Sequence, residues 1–545
     1  MSLNHWKLIN HLKVYLSKHS QEKGVLDFAN KEWLSIFEKL PLFYSRAVTD
    51  GEVDGPSCQR QQQGDAAVEP KPTRVPPVGL APAKDDHSHG LLDVSKSKTV
   101  KPAEEKIPDS PQSKWLPKQS VSKESIYSRT KHVVTSVMTA RSEQSRLKRL
   151  EELTNHLLQY PEAKSLAVRE GVVRMLLHIR RQNADPDTLA VVREACTLLG
   201  HVDPLPGRGI RILSIDGGGI RGVIVIELLK KLERLTGKRV YEMFDFICGV
   251  STGAILLSVL VLQKKSLEEM SQLYKELSIK VFTQNAIWGT SNLMWSHSYY
   301  NTEMWESMLR QNIGDVALIK TARDPQCPKL SFVSAVVNQA QLSAFVFRNY
   351  SFPPKSRSRY AGSCKYEVWQ AVRASAAAPS YFEEFQLDGF LHQDGGILVN
   401  NPCGVALHEA THLWPGSPIQ CVVSIGTGRL QSVPTLSDKP SVGMSSWRTK
   451  FMKILDSATD TEVVHTVMSD LLPSSVYFRF NPHLAEIISM VEIDPAKIRQ
   501  LELEAAMYYR RNEETFEEVA RALTAPPSLS QRTHRWLEEL WARLA

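Results

Sequence analysis

Three glycine-bracketed segments hold the residues that could do chemistry: Asp216-Gly217-Gly218-Gly219-Ile220-Arg221-Gly222, Gly249-Val250-Ser251-Thr252-Gly253 and Asp394-Gly395-Gly396. The second satisfies G-x-S-x-G, the pattern of a serine on a strand-to-helix turn too tight for side chains at its flanks. Gly249 and Gly253 would form that elbow and Ser251 the nucleophile. The first segment offers unencumbered backbone N–H groups at Gly217, Gly218 and Gly219 that can hold an oxyanion. One such donor is typically worth about 3 kcal/mol in a transition state. Arg221 could add charge there or bind a phosphate; a structural salt bridge, with Asp216 as the partner, is the competing role. The third segment offers a carboxylate base, Asp394, on a turn whose Gly395 and Gly396 permit close approach. An aspartate in water titrates near about 3.9, too low to take a serine proton efficiently, so this reading requires a desolvated pocket. The chemistry implied is ester cleavage.

Three rival readings compete for the same stretches. Gly217, Gly219 and Gly222 also satisfy G-x-G-x-x-G, the dinucleotide fingerprint. That reading needs an acidic residue at the end of the second strand, and Asp245 lies inside it instead. A Ser-His-Asp triad is a second alternative, since His392, His408 and His412 follow the serine in the expected order. His408-Glu409-Ala410-Thr411-His412 satisfies H-E-x-x-H, a zinc pattern. Pro415 and Pro418 stand where its longer form needs glycine and histidine, and no glutamate follows until Glu462. Neither a metal nor a cofactor is expected.

The elements that must position these residues read as an α/β unit. Ile210–Ile215 is a buried strand running into the glycine loop, and 223–235 an apolar-faced helix. Residues 244–248 form a second strand, and 252–263 a second helix. This alternation describes parallel strands joined by crossovers. Further strands are expected at 329–338, 344–348 and 420–425, with helices at 367–377 and 402–413. The charge-free run 246–263 is long enough to suggest a membrane span, but it contains the serine turn.

Outside this unit the composition changes. Residues 1–48 read as a short helical segment, with Trp6, Ile9, Leu12 and Leu16 at helical spacing and no secretory signal. Residues 49–124 read as a disordered linker: ten of the chain's 30 prolines fall within 51–120, where Trp115 is the only aromatic. Residues 125–205 turn helical, with three amphipathic helices that resemble an armadillo or HEAT-type unit. The catalytic unit would span 206–440. Residues 441–545 are expected to be mostly helical and packed on it, with one helix from Asp494-Pro495 towards Leu523 and a last one over 528–544.

Bulk properties narrow the class. A 42% hydrophobic, 23% charged composition is ordinary for a globular protein. A net charge of +7 without a dense Lys/Arg block favours an anionic membrane surface over nucleic acid. Seven scattered cysteines without C-x-x-C point to a reducing, intracellular compartment.

D-G-G-G-x-R-G, then G-x-S-x-G, then D-G-G is the order of motifs in the patatin-like phospholipases, and residues 208–480 resemble that family. The likeness extends to Arg373-Ala374-Ser375-Ala376-Ala377-Ala378-Pro379 and Ser424-Ile425-Gly426-Thr427-Gly428. With the helical segment 145–203, the chain is most similar to the family's calcium-independent gamma-type A2 members. The resemblance implies a three-layer α/β/α sandwich with a mostly parallel sheet. It further implies a Ser251–Asp394 dyad with no imidazole, an oxyanion site at Gly217 to Gly219, and a phospholipid membrane as substrate. A homodimer is possible under this reading, and protein partners are unspecified. Such enzymes end in Ser-Lys-Leu, whereas this chain ends Ala542-Arg543-Leu544-Ala545, which leaves mitochondrial, endoplasmic reticulum and peroxisomal membranes all open.

Overall fold

The computed structural model describes residues 122–283, 300–430, 460–486 and 488–528. All belong to the unit Val121–Ala545. The helical segment expected over 1–48, nearly all of the linker and the last helix lie outside the described residues.

The first described region holds five helices where the hydrophobic spacing predicts three: Lys123–Met138, Glu143–Gln159, Ala163–Arg169, Val172–Gln182 and Pro186–Leu198. Each of the longer starts has a physical cause. Ser122 and Ser142 accept N–H bonds from Ser125 and Ser145, and Asp185 accepts one from Thr188 ahead of Pro186 in the first turn. Leu150, Leu153, Leu157, Leu176 and Val192 are fully buried in one core that also takes in Ile319 of the α/β region. The buried Glu194 is ion-paired to Arg323 at 2.5 Å across the same seam.

The α/β region is built on a nine-stranded mixed sheet. Its strands are β1 (Ile210–Ile215), β2 (Phe246–Val250), β3 (Lys329–Val336), β4 (Ser343–Arg348), β5 (Ala361–Ser363), β6 (Phe385–Leu387), β7 (Phe390–Asp394) and β8 (Ile419–Ile425). A short β9 (Arg429–Leu430) leaves the sheet to pair with β11 (His483–Leu484), and β10 (Tyr477–Phe480) completes it. The main order is β10-β8-β1-β2-β3-β4-β5, parallel from β10 through β3 and antiparallel between β3 and β4. Successive side chains of a strand face opposite layers. Accordingly Leu213 and Ile215 of β1 join a core under the helices Gly222–Thr236, Leu267–Phe282 and Pro495–Arg511. Ile210 and Ile212 join a second core under the helix Cys403–Leu413. Burial on both faces explains the continuous apolar runs of β1, β2 and β8.

The structure corrects three expectations. Strand β10 lies beyond residue 440, so the sheet runs past the boundary drawn there. The helix expected from Asp494 to Leu523 breaks at Asn512 into Pro495–Arg511 and Glu513–Thr524. The helix after Ser251 is α-helical only over Thr252–Leu257 and then widens to a π turn, Ser258–Leu262.

One register detail positions the chemistry. Strand β2 pairs with the first half of β3, ending at Val250 opposite Val333. Strand β7 arrives antiparallel and pairs with the remainder, placing Asp394 opposite Ser334. The ends of β2 and β7 therefore meet head to head along β3, and Asp394 faces the residue that follows Val250.

Candidate active site

Ser251 sits where β2 turns into the helix, at φ 53° and ψ −117°. A non-glycine residue held there carries strain of about 1–3 kcal/mol, which only an over-determined surrounding maintains. The flanking glycines are needed for close approach. A Cβ on Gly249 would lie 2.6 Å from the Gly253 carbonyl carbon, and one on Gly253 would lie 2.5 Å from the Ile215 oxygen. The elbow glycines thus let the turn fold against itself and against β1.

The Ser251 hydroxyl donates to Asp394 Oδ2 at 2.5 Å. The other carboxylate oxygen, Oδ1, accepts the Gly396 N–H at 2.7 Å. Asp394 is buried, and that burial pushes its carboxyl up to about 6, against the opposing pull of the Ser251 hydroxyl and the Gly396 amide. Asp394 closes strand β7 rather than sitting within a free turn, and a Cβ on Gly395 would meet the Val333 oxygen at 2.2 Å.

The glycine loop lies beside this pair: a Cβ on Gly217 would come within 3.1 Å of the Ser251 Cβ. Its three amides are not equivalent. The Gly217 N–H is directed at the Asn400 carbonyl at 3.4 Å, while those of Gly218 and Gly219 have no acceptor among the described residues. The three carbonyls of the loop are all held. Gly217 accepts from Thr427 Oγ1 at 2.8 Å, and Gly218 from the Arg221 Nε at 3.3 Å. Gly219 accepts from the Tyr274 hydroxyl at 2.6 Å and Thr252 Oγ1 at 2.9 Å. Pinning each carbonyl fixes the direction of the next residue's N–H, so donors at Gly218 and Gly219 are preorganised.

Arg221 thus touches the loop at the Gly218 carbonyl and lines the same pocket as Ser251. It is not the partner of Asp216, which is ion-paired with Arg479 of β10 at 2.6 Å, both side chains being almost fully buried. The sequence holds no local signal for Arg479, which lies 263 positions from Asp216. Thr427 stands in a motif shared with the resembled family; Tyr274 stands in none.

Ser251, Asp394 and Gly217 to Gly219 line one cavity of about 120 Å³, whose further walls include Ile255, Leu277, Val281, Phe382 and Met490. Such a wall suits a hydrocarbon chain.

The rival readings meet specific obstacles. His392 is buried against the rings of Phe345 and Phe347, with Nδ1 2.8 Å from Ser334 Oγ, and burial lowers it to about 4. His408 and His412 lie against each other, their ring centroids 4.1 Å apart and their planes tilted by 42°. None of the three lines the cavity. Glu409 of H-E-x-x-H is buried and bound to Arg348 at 2.6 Å, Tyr350 at 2.6 Å and Ser358 at 2.5 Å. No group of three potential metal ligands occurs among the described residues. Asp245 is committed to Arg211, which it holds at 2.6 Å and 3.0 Å, rather than to a ribose.

A strand-elbow-helix serine faces a buried aspartate beside a glycine loop on a mixed α/β sheet, the geometry expected of an acyl-transfer site. Residues 213–407 match the family model described as patatin-like phospholipase, so the chain carries a domain similar to that family. It is 41% identical over 516 residues to a calcium-independent phospholipase A2-gamma of Oryctolagus cuniculus, covering 94% of this chain and 62% of the relative. It is 46% identical over 419 residues to that of Homo sapiens, covering 77% and 53%. Phospholipase A I of Arabidopsis thaliana is 31% identical over 423 residues, covering 66% and 32%. The chain thus spans about half to three fifths of the length of the A2-gamma relatives. Among the described residues, no helix is long and apolar enough to cross a membrane.

Proposed function

We propose that this protein is a calcium-independent phospholipase that releases fatty acids from glycerophospholipids through a Ser251–Asp394 dyad. The observation that carries the proposal is the 2.5 Å hydrogen bond from the Ser251 hydroxyl to a desolvated carboxylate at the base of an apolar cavity. Asp394 takes the serine proton as Oγ attacks the acyl carbonyl carbon. The oxygen that becomes negative points at the Gly218 and Gly219 amides, with Gly217 supporting the loop. Collapse of the tetrahedral intermediate breaks the ester bond, and the lysophospholipid alkoxide leaves with the proton from Asp394. Water, deprotonated by Asp394, then attacks the acyl-enzyme, and fatty acid departs as Ser251 regains its proton.

In this reading residues 125–205 are an armadillo-type unit that caps the catalytic region, and the enzyme works at the surface of an intracellular membrane. Product analysis by mass spectrometry on mixed-chain phospholipid vesicles tests the proposal. Ser251→Ala and Asp394→Ala should each abolish fatty acid release, and a fluorophosphonate should label Ser251 in the parent enzyme. Substantial turnover by the Asp394 variant would refute the dyad.

A further inference from the structure

Both halves of the dyad are tied to one short segment, Ser375 to Ala377, at the end of the helix Val368–Ser375. The Ser251 N–H donates to Ser375 Oγ at 3.0 Å, and Ser375 Oγ donates in turn to the Val333 carbonyl at 2.6 Å. The Gly395 N–H donates to the Ser375 carbonyl at 3.2 Å, and the Asp394 N–H to the Ala377 carbonyl at 2.9 Å. Ser375 is fully buried, so its hydroxyl has no water to substitute for these partners. Val333 is the β3 residue opposite the last residue of β2, next to the register position of Asp394.

We infer that Ser375 is the positioning residue that sets the Ser251–Asp394 separation, its hydroxyl holding the nucleophile's backbone while its carbonyl holds the base's turn. The inference rests on the dyad reading above. Ser251 occupies a left-handed backbone conformation that neighbouring groups must maintain, and its amide hydrogen bond to Ser375 is the side-chain contact that does so. A hydroxyl suits the task because it accepts from one backbone and donates to another at the same time. Alanine would leave both the Ser251 N–H and the Val333 carbonyl without that link, and the elbow would relax away from the carboxylate. The Ser251 hydroxyl would then support the ionised carboxylate less, and Asp394 would titrate at higher pH.

The test uses the full chain and four variants: Ser375→Ala, Ser375→Thr, which retains a hydroxyl, Asp394→Asn, and the double variant Ser375→Ala with Asp394→Asn. Hydrolysis of a monomeric acyl ester gives kcat and KM, its pH dependence gives the acid limb, and thermal melting reports folding. Ser375→Ala should lower kcat roughly tenfold to a hundredfold with KM little changed, since a misplaced catalytic group typically costs about that much. Its acid limb should move upward, and the Thr variant should recover most of the loss. The double variant should be no slower than Asp394→Asn alone, because Ser375 acts through the dyad. An Ala variant within twofold of the parent, or one whose loss appears in KM with the acid limb unmoved, overturns the inference. So does an alanine loss that Thr fails to recover while both variants melt like the parent. If Asp394→Asn itself stays active, it is the dyad that fails and not the clamp.

Discussion

Acidification gives the sharpest test of the chemistry, because the proposed base must be ionised to accept a proton. The Asp394 carboxyl titrates at about 6 in the fold, against 3.8 unperturbed, and burial is the largest cause. With that value the carboxyl is about nine-tenths ionised at pH 7 and a little under one-tenth at pH 5, so kcat/KM should fall about tenfold over those two units. A solvent-like carboxyl near about 3.9 would lose less than about a tenth over the same range. The assay is initial-rate hydrolysis of a monomeric acyl ester in overlapping buffers at constant ionic strength, with return to pH 7 to exclude irreversible loss. A profile flat from pH 7 to 5 would refute a desolvated aspartate base. The same shift has a consequence for stability. Because the folded-state value lies above the unfolded one, this group's contribution is fully present below pH 3.8 and is lost as pH rises through about 6. By pH 8 the buried carboxylate costs about 3 kcal/mol. Asp394→Asn should therefore melt progressively higher relative to the parent as pH is raised from 4 to 7, whatever constant penalty the amide brings.

Further tests probe the scaffold. Gly253→Ala places a Cβ 2.5 Å from the Ile215 oxygen and should destabilise by about 1–3 kcal/mol, read as a lower denaturation midpoint with activity lost in parallel. Glu409→Gln breaks the fully buried pair with Arg348 and should cost about 3–5 kcal/mol, leaving kcat of the folded fraction intact. A variant that lost activity without losing stability would return Glu409 to a chemical role. Chelation should leave fatty acid release unchanged, since backbone amides meet the developing charge; a loss restored by added metal would refute that account.

Much of the site was legible because the chemistry lies in short motifs with their own local structure. The elbow needs glycines within two residues of Ser251, and the glycine loop needs consecutive bare amides, so both can be read from adjacent letters. Strands β1, β2 and β8 were legible for a related reason: burial on both faces writes a continuous apolar run. Strands β6, β7 and β10 were not, since they span only three, five and four residues, too few for a periodicity to stand out from a loop. The helix Ala163–Arg169 was missed because seven residues are too few to show a helical period, and Lys123–Met138 because only four of its sixteen positions are buried, which writes a weak apolar pattern.

Residue types and near spacing alone singled out the groups proposed to carry the reaction: a serine that must be strained, a carboxylate that must be desolvated, amides that must be free. Only the tertiary structure decided how they meet. Strands β2 and β7 abut along β3, so two residues far apart in the chain come to adjacent positions of one ladder. The loop amides divide into one engaged and two available because Asn400, Thr427 and Tyr274 arrive from distant elements. Asp216 finds its counter-ion on β10 rather than on its neighbour Arg221. Hydrogen bonds and ion pairs of this kind depend on distances of a few ångströms between segments, and that information is fixed by packing rather than by any local pattern.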